Sequence, residues 1–150
     1  MNAEELSLPA QSIHLIFGSG IIHHLDLTAF YMEARRVLVP EGRILFMEPL
    51  GHNPIINAYR KLTPGMRTPD EHPLLKKDLI QLSQNFENLN IKYYYFWSLF
   101  AIPLRRFKLF KPALRVLDGL DQLMFKWIPG SKNWAWYALL DASNPKPLPQ

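Results

Sequence analysis

The sequence predicts an α/β fold that contains two parallel strands joined by a helix. Three observations predict it: an apolar run at residues 12–17 that ends in Gly18-Ser-Gly20, a helical pattern over residues 26–38, and a second apolar run from Arg43 to Glu48. Strand, helix and strand in this order form a βαβ unit, whose two strands run parallel with a right-handed crossover.

Local signals support each element of this unit. Asp26 or Thr28 can cap the helix, and four apolar residues then recur on one helical face: Phe30, Ala34, Val37 and Leu38. Pro40-Glu41-Gly42 predicts a turn before the second strand, because proline presets φ and glycine tolerates positive φ. Pro49 ends that strand.

The remaining sequence predicts a loop, a helix, a third strand, a helical insertion and a last strand. Residues 51–73 are rich in proline and predict a long loop with one helical turn, a type of segment that often carries function. A helical stripe follows (Leu75, Leu79, Leu82 and Phe86), then a strand at residues 90–96. Residues 97–130 form a helical insertion rich in basic and aromatic residues, with an apolar stripe at Ala113, Leu117, Leu120, Met124 and Trp127 or Ile128. Residues 134–140 predict the last strand, and residues 144–150 a frayed tail.

Composition restricts the class of protein. The 150 residues are 48% hydrophobic and 20% charged, which is typical of one folded globular domain. The absence of cysteine excludes disulfide scaffolds, cysteine nucleophiles and thiolate zinc sites. We see neither a signal peptide nor a run of about 20 apolar residues, so a cytoplasmic protein, soluble or peripheral to a membrane, is the expectation.

Positive charge is concentrated in the last third of the chain. Residues 97–150 hold eight Lys and Arg against three Asp and Glu, and they hold all four tryptophans. A solvated basic face, an interfacial membrane segment, a cap over an apolar substrate and plain core packing all remain open for this region. The alternation of basic residues with large apolar ones disfavours nucleic-acid binding.

Three stretches together carry a family resemblance. They are residues 13–26 (Ile-His-Leu-Ile-Phe-Gly-Ser-Gly-Ile-Ile-His-His-Leu-Asp), residues 33–49, which include Arg-Val-Leu-Val-Pro-Glu-Gly, and residues 67–74. The chain resembles the second half of a class I S-adenosylmethionine-dependent methyltransferase of the type 11 and ubiquinone/menaquinone-methyltransferase-like group. The resemblance implies a Rossmann-like methyltransferase sheet that lacks its N-terminal strands, as a single partial domain over residues 1–150.

The sequence also departs from the family pattern. His14 and Asn2 stand where family members usually and often, respectively, have Asp, and Pro40-Glu41-Gly42 replaces Pro-Gly-Gly. The glycine-rich loop and the acidic residue that hold the cofactor have no counterpart, since Gly18-Ser-Gly20 matches the turn after a later strand. We therefore expect the chain to begin after the cofactor-binding strands.

The resemblance implies a set of site residues and S-adenosyl-L-methionine as cofactor. Cofactor contacts are expected from Asn2, Ala3, Gly18, Ser19 and Gly20. His23 or His24 is the candidate proton acceptor, with packing in the loop as the alternative. Contacts with the methyl acceptor are expected from Glu48, His52, Asn53, Arg67, Glu71 and His72, with capping and loop-fixing hydrogen bonds as the alternative. A metal site is disfavoured, because side chains of adjacent histidines diverge on a strand and no H-E-x-x-H motif exists.

Two hypotheses about function follow. In the first, the chain is the acceptor half of a methyltransferase that acts on a small apolar molecule, and a complementing N-terminal half or a second copy completes it. In the second, it is a non-catalytic truncated remnant, or a module that binds a membrane or a partner. The unpaired edge of the strand at residues 13–17 motivates both.

Overall fold

The computed structural model describes residues 2–66 and 71–148. These two ranges contain four strands: β1 (Ile13–Ser19), β2 (Leu38–Pro49), β3 (Phe86–Tyr94) and β4 (Tyr137–Pro145). Four α-helices are α1 (Leu27–Val37), α2 (Pro54–Leu62), α3 (Lys76–Asn85) and α4 (Phe110–Trp127). Short 3₁₀ segments lie at Ile22–His24, Pro64–Met66, Trp97–Leu104 and Ser131–Trp134.

The strands form one sheet in the order β1-β2-β4-β3. β1 and β2 are parallel, with Phe17 opposite Leu45 and Ser19 opposite Met47, while β4 is antiparallel to both of its neighbours. The predicted βαβ unit and α/β class are confirmed. The carboxyl ends of β1 and β2 and the start of β4 therefore meet at one edge of the sheet.

One face of the sheet carries the hydrophobic core. Apolar side chains of α1, α3 and α4 pack there against Ile44, Phe46 and Leu140 of the sheet. The other face is open at its β1 end, where Leu15 is 45% and Phe17 is 74% exposed. The sheet thus buries one side and leaves an apolar patch on the other.

Hydrogen bonds fix the start of α1 and the chain end. The Asp26 carboxylate accepts from the N–H groups of Thr28 at 2.8 Å and Ala29 at 3.1 Å, as the cap prediction requires. The Arg35 guanidinium on the same helix donates to Asn85 and to the carbonyls of Lys146 and Pro147. These bonds hold the last described residues against α1 and α3.

Several strand boundaries differ from the sequence predictions. β3 begins at Phe86 rather than residue 90, and β4 begins three residues later than predicted and continues to Pro145. Asn144 therefore belongs to the sheet rather than to a tail, because its strand pairs with β3 over its full length.

The predicted turn at Pro40-Glu41-Gly42 lies inside β2. The register with β1 jumps there, from Ile13 opposite Leu38 to Leu15 opposite Arg43, so β2 bulges. Glycine is required at position 42 by close packing rather than by positive φ: an added Cβ would lie 2.8 Å from the carbonyl oxygen of Val39. The conformational reason given by the sequence pattern was wrong.

The insertion contains the predicted helix in a different orientation. Met124 on α4 is buried in the core, whereas Leu120 and Trp127 of the predicted stripe are 44% and 70% exposed. The Asp121 carboxylate is fully buried and accepts from the N–H groups of Phe96, Trp97 and Ser98 and from the Ser98 hydroxyl. This carboxylate joins α4 to the 3₁₀ segment that precedes it.

None of the helices in the two described ranges has both the length and the apolar character needed to cross a membrane.

Candidate functional site

The turn after β1 places the backbone tightly against β2. Gly20 has φ of +63°, a conformation that favours glycine, and its N–H donates to the Met47 carbonyl at 2.9 Å. At Gly18 an added Cβ would lie 2.7 Å from a ring carbon of Phe46. This close approach brings residues 21–24 over the carboxyl end of β2.

Glu48 at that end is fully buried and holds the turn through its carboxylate. Oε1 accepts from the backbone N–H of Ile21 at 3.0 Å and of Ile22 at 3.3 Å. Oε2 lies 2.7 Å from Nδ1 of His23, which is itself only 6% exposed. Both predicted residues therefore form one buried pair, joined across 25 positions of sequence.

The pairing sets the tautomer of the His23 ring. An ionised carboxylate only accepts hydrogen bonds, so Nδ1 must carry the proton that Oε2 accepts. In the neutral ring Nε2 then carries the lone pair. His23 is thus prepared to accept a proton at Nε2, and Glu48 orients the ring.

His24 packs its ring against that of His23. The two ring centroids are 4.1 Å apart at an angle of 42°. The expectation that adjacent histidines diverge on a strand was wrong, because both residues lie on the 3₁₀ turn Ile22–His24. Among the described residues, no group of three or more His, Asp or Glu side chains forms a cluster that could hold a metal ion.

The donor cavity, as we call it, lies beside the turn and has a volume of about 220 Å³. Three of the five predicted cofactor residues line it: Ala3, Gly18 and Ser19. The rest of its wall is apolar and consists of Leu6, Ile16, Phe17, Ile21, Ile22, Leu25, Phe30 and Phe46. The structure therefore brings together residues that are far apart in sequence.

Polar bonds to α1 hold Ala3 at this cavity. Glu4 accepts from the Asp26 N–H at 2.8 Å, and Glu33 accepts from the Leu6 N–H at 2.7 Å. Arg36 donates to the Leu6 carbonyl and to the Glu33 carboxylate. The hydrogen bond from Arg36 to Glu33 lowers the pKa of the Glu33 carboxyl. Asn2 uses its side-chain oxygen to accept from the Glu4 N–H, which closes a turn in the N-terminal segment.

The acceptor cavity, also about 220 Å³, lies on the His23 side of the turn. His23 and Glu71 line it together with residues of α2 and of the segment that enters β4. These further lining residues are Pro49, Ile56, Tyr59, Arg60, Thr63, Trp136 and Tyr137. Burial raises the pKa of the Tyr137 hydroxyl, and the nearby Glu48 carboxylate adds to this effect. The cavity combines aromatic walls with a cationic, an anionic and an imidazole group.

The other predicted acceptor residues lie at different places. Asn53 is fully buried; its side chain caps α2 through the Ile56 N–H and donates to the Trp134 carbonyl. His52 accepts from the Lys76 N–H at 3.0 Å and lines a separate cavity. His72 is exposed, and its N–H donates to the His23 carbonyl. Arg67 lies outside the described residues.

Seven residues of the acceptor cavity were not predicted from the sequence, and four of them carry an aromatic ring or a positive charge. Tyr59 and Arg60 belong to α2, and Trp136 and Tyr137 lie where the chain enters β4. The antiparallel direction of the last strand was the signal that could have identified Tyr137, because it puts the start of β4 beside the end of β2.

A family model described as a methyltransferase domain matches residues 1–46. Curated proteins give no match. Among solved structures, a putative methyltransferase from Bacillus halodurans C-125 aligns with a TM-score of 0.52 at 17% identity, over 97% of this chain and 70% of that one.

Two structures with bound molecules also align. Geranyl diphosphate C-methyltransferase from Streptomyces coelicolor A3(2), in complex with Mg²⁺, geranyl-S-thiolodiphosphate and S-adenosyl-L-homocysteine, has a TM-score of 0.56 at 15% identity over 96% of this chain and 50% of its own. Phosphoethanolamine N-methyltransferase 2 from Haemonchus contortus, in complex with phosphomonomethylethanolamine and S-adenosylhomocysteine, has a TM-score of 0.58 at 14% identity over 97% and 36%.

These matches confirm the resemblance to class I S-adenosylmethionine-dependent methyltransferases and their Rossmann-like fold. The chain spans 70%, 50% and 36% of the three aligned structures.

Proposed function

We propose that this chain forms the acceptor side of an S-adenosyl-L-methionine-dependent methyltransferase that acts on a small, largely apolar molecule. The observation that carries the proposal is the buried pair of His23 and Glu48, formed at a turn that borders both cavities. Ile22, on the same turn as His23, lines the donor cavity, and His23 lines the acceptor cavity. Methyl transfer needs a donor and an acceptor held side by side, with a base near the acceptor.

The donor cavity fits the reactive end of the cofactor. When bound, the cofactor supplies a methyl group activated by the sulfonium charge. Ala3, Gly18 and Ser19 would hold it, with Gly18 allowing close approach of the backbone and the apolar wall excluding water. A volume of about 220 Å³ is below the range of about 300–1,000 Å³ typical of ligand sites, so these residues enclose part of the cofactor.

His23 acts in this proposal as the proton acceptor. Its Nε2 takes the proton from the acceptor group as that group becomes a nucleophile, and Glu48 stabilises the resulting imidazolium through Nδ1. Glu48 is therefore a positioning residue rather than a substrate contact. Tyr59, Trp136 and Tyr137 would enclose an apolar acceptor, while Glu71 and Arg60 would orient its polar end.

The remaining part of the donor site is proposed to come from a complementing half on another polypeptide segment. β1 is an edge strand of the sheet, and Leu15, Phe17 and Ile21 beside it are 45%, 74% and 46% exposed. An apolar edge of this kind favours pairing with another strand, and such a strand would close the donor cavity. The non-catalytic remnant remains the competing hypothesis.

Titration with S-adenosylhomocysteine, followed by amide resonances of the ¹⁵N-labelled chain, tests the proposal. We expect shifts at Gly18, Ser19 and Gly20 with weak affinity, on the order of 1 mM, since only part of the site is present. Ser19→Tyr should abolish the shifts by filling the cavity. Ser7→Tyr, at another exposed serine, should leave them unchanged.

Two results would contradict the proposal. One is the absence of shifts at residues 18–20 at millimolar ligand in a chain whose spectrum shows a folded sheet. The other is a set of shifts that Ser19→Tyr leaves intact, because the ligand would then bind away from the donor cavity.

A further inference from the structure

We infer that the outer surface of α4 binds the face of a membrane that contains anionic lipids. The inference does not rest on the proposed methyl transfer. It starts from an apolar stripe that the fold leaves in solvent: Leu109, Val116, Leu120, Leu123 and Trp127, which are 67%, 66%, 44%, 57% and 70% exposed. Their spacing of seven, four, three and four residues puts them on one face of the helix.

This outer stripe is distinct from the face that packs in the core. Met124 and Phe125 are each 6% exposed, and Asp121 is fully buried in its hydrogen bonds to residues 96–98. These buried residues anchor the C-terminal half of α4. The outer stripe therefore stays parallel to the protein surface, in the orientation of an interfacial helix.

Basic residues run alongside the apolar stripe. Lys111, Arg115 and Lys126 lie on one flank of α4 by helical spacing, Lys108 lies just before the helix, and all four are exposed. The Lys126 ammonium lies 5.3 Å from the Trp127 ring centroid, so a cation and an interfacial aromatic residue stand together. Such flanking lysines reach lipid phosphates while the apolar residues enter the acyl boundary.

The acidic side chains of α4 are half-buried or buried rather than exposed. The two acidic residues of α4 are Asp118, which is half-buried, and Asp121, which is fully buried. Arg105 and Arg106, just before the helix, are exposed and add to the positive field. A second copy of the chain would bring like charges together across an isologous contact, whereas an anionic bilayer complements them.

The neighbouring segment supplies further exposed apolar side chains. Phe100, Ile102 and Phe107 are 56%, 48% and 65% exposed, in a part of the chain that Asp121 ties to α4. These side chains and the outer stripe all lie within residues 100–127, and such a concentration of exposed apolar residues is typical of an interaction surface. They enlarge the area available for insertion at the membrane interface.

Flotation of the full chain with vesicles tests the inference. We expect the chain to float with vesicles of phosphatidylcholine and phosphatidylserine, and to float less as salt rises. Leu123→Ser combined with Trp127→Ser should abolish flotation. Lys111→Gln and Arg115→Gln should each weaken binding about fivefold, which corresponds to about 1 kcal/mol per basic residue near an anionic surface.

Matched controls lie on two other helices. Met32→Ser and Ile80→Ser remove exposed apolar side chains of α1 and α3 and should leave flotation unchanged. Far-ultraviolet circular dichroism confirms that each variant is folded.

Three outcomes would overturn the inference. The first is a failure of the folded chain to float with the anionic vesicles at low salt. The second is equal flotation of wild type and the double serine variant. The third is self-association that depends on Trp127 without any binding to vesicles, which would assign the stripe to a second copy.

Discussion

Replacement of Glu48 tests the buried pair without knowledge of the methyl acceptor. Glu48→Gln keeps the shape and one carbonyl oxygen, which can still accept from the N–H groups of Ile21 and Ile22. The new amide N–H₂ faces Nδ1 of His23, which must then become an acceptor. We expect the ring proton to move from Nδ1 to Nε2, so that His23 can no longer accept a proton there.

The energetic cost follows from the three bonds that the carboxylate accepts. Hydrogen bonds to a charged group contribute about 1.5–3 kcal/mol each and neutral ones about 0.5–1.5 kcal/mol, so Glu48→Gln should lower the free energy of unfolding by about 1–3 kcal/mol. Glu48→Ala leaves two buried donors and the part-buried Ile21 N–H without this partner and should cost about 3–5 kcal/mol. Once the methyl acceptor has been identified, Glu48→Gln and Glu48→Ala should each reduce the rate of turnover by a factor of about 10²–10⁴.

Two measurements check this reasoning. Imidazole ¹⁵N resonances of His23 report which nitrogen is protonated, and urea unfolding reports the cost. Glu87→Gln, at an exposed glutamate on β3, should change neither. An unchanged His23 tautomer in Glu48→Gln, or a cost below about 1 kcal/mol for Glu48→Ala, would refute the pairing.

Three further predictions concern stability. The Tyr31 hydroxyl is buried and forms no hydrogen bond within the described part of the chain, so Tyr31→Phe should raise the free energy of unfolding by about 1 kcal/mol in urea titrations. Burial raises the pKa of the Tyr31, Tyr93 and Tyr137 hydroxyls above the value in the unfolded chain. Their contribution to folding stability is therefore complete below about pH 10, the pKa of an unperturbed tyrosine, and is lost as pH rises above it. We expect Tyr31→Phe to reduce this loss of thermal stability at alkaline pH. Asp121→Ala should lower the free energy of unfolding by at least about 3 kcal/mol, because it leaves the N–H groups of residues 96–98 without their hydrogen-bond acceptor. A decrease no larger than that caused by Asp118→Ala would contradict this.

The βαβ unit was predictable because each of its elements has a local cause. The apolar runs, the Asp26 cap and the spacing of Phe30, Ala34 and Val37 all act within a few residues. The spacing of apolar residues and the helix cap were therefore sufficient to locate the two strands and the helix, and the parallel pairing of the strands followed from their connection through a helix. The boundaries of β3 and β4 depend on pairing between distant segments, which local pattern does not contain.

The site was predictable residue by residue but not as an arrangement. His23 and Glu48 were both candidates, yet their contact depends on the close approach of Gly18 to Phe46, which sequence does not reveal. Asn53 was predicted to contact the methyl acceptor, but its side chain instead caps the start of α2. On α4, two apolar stripes share one helix, and periodicity alone could not show which of them the core would bury.

The position of β4 in the sheet has a consequence for how the chain folds. This strand lies between β2 and β3 although it is the last of the four in sequence. During synthesis β3 therefore emerges without a neighbour, and it can join the others only after residues 137–145 have been made. Assembly is delayed until late, and a premature stop codon that removes those residues would split the sheet in two rather than shorten it.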